Sequence, residues 1–136
     1  MPTPEVEVLT VNEAFYDAFS RHDIAAMEAI WSKRVDLACI HPGWDAIVGR
    51  REVLSSWRAI LSSPEAPTVE GTGAVAHVIG DVAYVVCSEV LPGAELCATN
   101  VFVREDGTWK LVHHQAGPVA SRMEEARPAR PPRVLN

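Results

Sequence analysis

Five histidines, His22, His41, His77, His113 and His114, are the side chains best suited to moving protons near neutral pH. Their spacing contains no His-Glu-x-x-His or comparable ligand pattern. The adjacent pair His113-His114 would project to opposite faces of a strand and cannot grip one ion, so no metal site is predicted. Nucleophilic catalysis has no support either. There is no Gly-x-Ser-x-Gly, and Cys39, Cys87 and Cys97 fall in apolar strand candidates that keep thiols protonated. An odd number of cysteines without a Cys-x-x-Cys pair reads as reduced, buried thiols of a cytoplasmic protein. A glycine-rich phosphate loop is absent, and no cofactor is expected. Two polar residues then stand out. His41, directly before Pro42, either anchors its turn or handles protons in a pocket. Asn100 lies in a strand candidate, where asparagine is depleted and a buried amide needs partners; it is a functional donor or a structural hydrogen bond.

The elements that must position these groups follow from periodicity. Val8, Val11, Phe15 and Ala18 form one apolar helical stripe, with Thr3 as cap and Pro4 in the first turn. Asp23 caps a short second helix carrying Met27, Ile30 and Trp31. Val35 to Ile40 reads as a strand stopped by Pro42-Gly43. A third helix follows Gly49, its buried face marked by Val53, Leu54, Trp57, Ile60 and Leu61. Beyond Pro67 the period changes to two, giving strands over 68–78, 82–90, 95–104 and 108–115, joined by short turns and therefore antiparallel. On the third of these, Ala98, Asn100 and Phe102 share one face and Cys97, Thr99 and Val101 the other. On the second, Tyr84, Val86 and Ser88 oppose Val85, Cys87 and Glu89; alternation alone does not say which set turns inward. Helices first and a meander afterwards make an α+β layout.

Chain-wide properties narrow the function classes. The 136 residues fill one domain, 1–121, followed by a Pro/Arg-rich tail, 122–136, read as extended. Hydrophobic residues make up 48% and charged residues 22%, which suits a packed core. The net charge of −6 disfavours nucleic acid and anionic membranes as partners. No apolar run approaches a membrane span, and Met1-Pro2-Thr3-Pro4-Glu5 does not resemble a secretion signal.

Four local patterns, in this order, resemble the SnoaL-like branch of the nuclear transport factor 2-like superfamily: helix-Arg21-His22-Asp23-helix, Cys39-Ile40-His41-Pro42-Gly43, Gly49-Arg50 opening a helix, and Asp106-Gly107-Thr108-Trp109-Lys110 entering the last strand. The resemblance covers about residues 5 to 118. It implies a cone of three N-terminal helices packed on a strongly curved, mainly antiparallel sheet, a pocket at the open end, and a homodimer through the outer sheet face. Set against the ketosteroid isomerases of this superfamily, His41 falls where those enzymes carry a general base. Phe15 and Asn100 fall at the tyrosine and the aspartate of the oxyanion hole, while Trp31 and Trp57 fall at supporting tyrosines. The resemblance thus implies His41 and Asn100 as catalytic residues, and Phe15, Trp31, Trp44, Trp57, Phe102, Val112 and His114 around a small, largely apolar ligand. With three hydroxyls missing, a steroid isomerase is disfavoured. Two readings follow: a cofactor-independent isomerase, cyclase or dehydratase, or a noncatalytic ligand-binding or assembly module.

Overall fold

The computed structural model describes residues 2–34 and 36–120; the expected tail lies outside these residues. Helix α1 spans Pro4–Ser20, and Thr3 caps it by accepting from the Val6 amide at 3.2 Å. Asp23 does the same for α2 (Ile24–Ile30), taking the Ala26 amide at 3.0 Å. Helix α3 (Arg50–Ser62) starts differently. Gly49 stands at its N-terminus with φ of 96°, a conformation that glycine adopts without penalty.

The strands are β1 (Ala38–Ile40), β2 (Ile47–Val48), β3 (Glu70–Ile79), β4 (Val82–Leu91), β5 (Ala94–Glu105) and β6 (Thr108–Pro118). They form one curved sheet in the order β2-β1-β6-β5-β4-β3. Every neighbouring pair is antiparallel except β1 with β6, which run parallel. Strand β2 was not expected: two residues are too few to show a period, and it exists because Ile47 and Val48 pair with β1. Strand β1 is shorter than expected, beginning at Ala38.

The inner face carries Ala83, Val85, Cys87 and Glu89 of β4 and Ala98, Asn100 and Phe102 of β5, all buried, which decides the question left open for β4. On β6 simple alternation fails. A bulge opposite Val101 and Phe102 pairs Val101 with His113 and Phe102 with Leu111, so Leu111 and His114 both point inward. Val112, expected to share a face with His114, occupies the extra position and is only half-buried. Cys39 and Cys87 are buried as expected, but Cys97 is exposed, because the outer face of β5 has nothing packed on it in the single chain.

The helices close over the inner face. Phe15, Phe19 and Trp57 meet edge to face at centroid distances of 5.0 to 6.2 Å. Trp109 is buried beneath the Arg104 guanidinium, 4.4 Å above its ring. No helix among the described residues is long and apolar enough to cross a membrane.

Candidate functional site

A cluster of six polar side chains occupies the middle of the core. It draws Asn12 and Tyr16 from α1, Cys87 and Glu89 from β4, Asn100 from β5 and His114 from β6. Asn100 has no exposed surface and is saturated: its amide donates to Asn12 Oδ1 at 2.9 Å and to the Tyr16 hydroxyl at 3.2 Å, and its Oδ1 accepts from His114 Nδ1 at 2.5 Å. The Tyr16 hydroxyl donates to Glu89 Oε2 at 2.7 Å and lies 3.3 Å from Cys87 Sγ. Since His114 Nδ1 donates to a carbonyl oxygen, Nε2 faces Glu89, 3.7 Å from Oε2.

Burial sets the protonation of this cluster. It raises the Glu89 carboxyl above the usual carboxylate range, partly countered by the Tyr16 hydroxyl, and raises the Tyr16 phenol and Cys87 thiol as well. It lowers His114 to about 3, helped by His41 and His113. The two shifts run in opposite directions, the carboxyl towards its protonated form and the imidazole towards its neutral one. Opposed shifts in neighbouring groups are the pattern expected of an acid and base pair.

His41 lies apart from this cluster. Its Nε2 is 2.9 Å from Ser56 Oγ, its ring packs edge-on against Trp44 and Trp57, and burial lowers it to about 4. Trp57 touches both His41 and His114, at centroid distances of 4.8 and 5.8 Å. The structure therefore groups Asn100 with His114, and separately His41 with Trp44 and Trp57. Phe15, Trp31 and Phe102 are wholly buried, whereas Trp44 is half exposed. Because Phe15, Phe102 and Asn100 carry no accessible surface, no water-sized void touches them; the centre of the cone is filled. The buried indole N–H groups of Trp31 and Trp57 have no hydrogen-bond partner among the described residues.

Tyr16, Glu89, Asn12 and Ser56 escaped the sequence reading. Tyr16 is the instructive one. It adjoins Phe15, and its hydroxyl reaches Asn100 although the matched position carries no donor. The signal available was Glu89, a lone acid on an otherwise apolar strand face.

Space lies beside the cluster. A groove of about 980 Å³ runs between α1 and the start of β3, with Asn12 and Tyr16 in its lining together with Leu9, Ala14, Val69 and Ala74. Its two walls are pinned by Ser20, whose hydroxyl donates to the Val69 carbonyl at 2.6 Å and accepts from the Val69 amide at 3.0 Å. Gly71 makes the close approach possible, since a Cβ there would stand 2.5 Å from Tyr16 Cδ2. Among the described residues no three His, Cys, Asp or Glu side chains gather to hold a metal.

The family description "SnoaL-like domain" matches residues 8–121. The chain belongs to the SnoaL-like family. A Streptomyces avermitilis structure from the NTF2-like family, named a "putative dehydratase", is 35% identical, with 84% of this chain and 94% of that one covered and a TM-score of 0.77. A Thiobacillus denitrificans structure, named a "putative calcium/calmodulin-dependent protein kinase type II association domain", is 29% identical over 88% of this chain and 97% of its own, with a TM-score of 0.75. The F-box protein SKIP8 of Arabidopsis thaliana is 25% identical over 111 residues, 80% of this chain. The SnoaL-like chain spans about half the length, 48%, of that curated relative.

Proposed function

We propose that this SnoaL-like protein binds a small, largely apolar molecule carrying one or two oxygen atoms, and that the molecule enters between α1 and β3. The observation that carries this reading is the groove ending on Asn12 and Tyr16, whose other contacts belong to the buried cluster. A ligand oxygen there meets the Tyr16 phenol, backed by a buried carboxyl, and the Asn12 amide, on an otherwise apolar floor. A phenol coupled to a buried carboxyl is the kind of proton donor that a cofactor-independent isomerisation, cyclisation or dehydration needs. In this reading Tyr16, backed by Glu89, is the group that meets the ligand, Asn100 and His114 position it from behind, and His41 holds the β1 end through Ser56. The 35% identity to a protein named a "putative dehydratase" supports this direction.

The test uses thermal stabilisation by naphthols, naphthaldehydes and 3-ketosteroids, measured on wild type and on Ala14→Trp, which fills the groove from an exposed helix position. Stabilisation of several degrees by one of these classes, absent in Ala14→Trp, is the expected result. No stabilisation by any class, or equal stabilisation of both proteins, overturns the reading.

A second observation supports an assembly role alongside. The outer sheet face exposes Val75, Ile79, Val82, Val86 and Val90, a β-branched apolar patch on adjoining strands. We propose that an isologous homodimer covers it.

A further inference from the structure

The groove between α1 and β3 has two chemically different ends. At the inner end Asn12 is only 2% exposed, and its Oδ1 is taken by the Asn100 amide at 2.9 Å. Its own amide carries two N–H donors, and the Cys87 thiol, a weak acceptor, is the partner found for them among the described residues. At least one N–H of a buried side chain in the groove lining is therefore open to an arriving oxygen atom. At the rim the lining carries Glu13, Asp17 and Glu70, all exposed, and no basic side chain. Glu13 and Asp17 are four residues apart on α1, where like charges repel. Asp17 is paired with Arg21 at 2.8 Å, but Glu13 and Glu70 have no ion-pair partner among the described residues. Among those residues no three acidic, histidine or cysteine groups converge to hold a metal ion, so this negative rim suits a larger, organic cation.

Helix geometry fixes how the two ends relate. Asn12 and Tyr16 form one row along α1, and Glu13 and Asp17 form the next, about 100° further around the axis. On a helix about 11 Å across, side-chain tips so placed stand about 8 Å apart. Leu9, Ala14, Val69 and Ala74 complete the groove with apolar surface.

We propose that the groove selects an amphiphilic amine. The ligand's oxygen meets Asn12 and Tyr16, its apolar body lies on the lining, and its protonated amine, about 8 Å from that oxygen, sits among Glu13, Asp17 and Glu70. Glu13 and Glu70 are then specificity-determining residues: they favour a cation over a neutral molecule of the same shape, and disfavour an anion. The amine also relieves the repulsion among the rim carboxylates. This inference names the ligand class for the binding reading above and rests on that reading.

Titration calorimetry at about 20 mM sodium chloride compares three ligands of one shape, 6-(aminomethyl)-2-naphthol, 6-(hydroxymethyl)-2-naphthol and 6-hydroxy-2-naphthoic acid. With wild type the amine binds about fivefold tighter than the neutral alcohol, as expected of two exposed ion pairs, and the acid binds weakest. In the exposed-site double variant Glu13→Gln/Glu70→Gln the amine and the alcohol bind alike, and the alcohol keeps its wild-type affinity. Asp45→Asn/Glu52→Gln makes the same charge change outside the groove lining and keeps the wild-type preference. Equal binding of all three ligands to wild type overturns the inference and leaves the binding reading standing. So does a preference for the amine that survives Glu13→Gln/Glu70→Gln, or one that disappears in Asp45→Asn/Glu52→Gln. Absence of binding by all three, the neutral alcohol included, overturns the binding reading and the inference with it.

Discussion

Replacing Gly71 by alanine separates two physical arguments by sign. Gly71 lies in β3 outside the positive-φ region, so propensity alone predicts a gain of about 0.5–1 kcal/mol from restricting the unfolded chain. Contact geometry predicts the reverse. The new Cβ would lie 2.5, 2.7 and 3.0 Å from Tyr16 Cδ2, Cε2 and Cγ, so the ring must retreat by about 1 Å to reach ordinary contact. It cannot retreat freely, because its hydroxyl is held by Glu89 at 2.7 Å and Asn100 at 3.2 Å. Overpacking costs about 1–3 kcal/mol, and stretching the bond to a buried carboxyl adds about 1–3 more. Less the propensity gain, a net loss of about 1–5 kcal/mol is expected. Urea unfolding with an unchanged slope measures it. In the Tyr16→Ala background the ring is gone, so alanine at Gly71 becomes neutral or stabilising, and the double-mutant cycle is strongly non-additive. A Gly71→Ala protein as stable as wild type, or an additive cycle, refutes the reasoning.

Three further outcomes are expected. Tyr16→Phe leaves the buried Glu89 without its hydroxyl donor and lowers stability by about 1–3 kcal/mol in urea, with little change in the far-ultraviolet spectrum. Acid weakens the fold through His41: burial lowers it from 6.5 to about 4, so protons bind the unfolded chain first, and its stability contribution, full above 6.5, is lost as pH falls towards 4. Wild type should therefore lose about 2 kcal/mol more than His41→Asn between pH 7 and pH 5. Glu89, raised by burial, acts in the opposite direction in both proteins and drops out of that comparison. Sedimentation of wild type should give a species of twice the 14.8 kDa chain mass, and Val86→Lys on the outer face should give the monomer.

The sequence exposed the fold better than the chemistry, for reasons visible in single residues. Thr3 and Asp23 announced two helix starts because a cap is a local event, and the β4 to β6 turns announced antiparallel neighbours for the same reason. Asn100 and His114 were legible as inward polar groups through the family resemblance, since alternation groups residues on a face without choosing which face turns inward. Val112 was misplaced by one bulge: it takes the extra position, while Leu111 and His114 on either side of it point inward. Tyr16 went unnoticed because its meaning lies in Asn100 and Glu89, more than 70 residues away. Cys97 was expected buried because apolar neighbours do not distinguish an inner from an outer sheet face.

The parallel pairing of β1 with β6 also dictates an order of assembly. Strands β3 to β6 join through turns of two residues, so their hairpins close over short loops. Ala38 meets His113, and Asn12 meets Asn100, only after loops of 75 and 88 residues close. Loop entropy makes such contacts late. The meander is expected to fold first, with Glu89, Asn100 and His114 already side by side on an open sheet. Helix α1 then arrives carrying Tyr16 and Asn12, so that the last packing step of the domain is also the one that completes its polar centre.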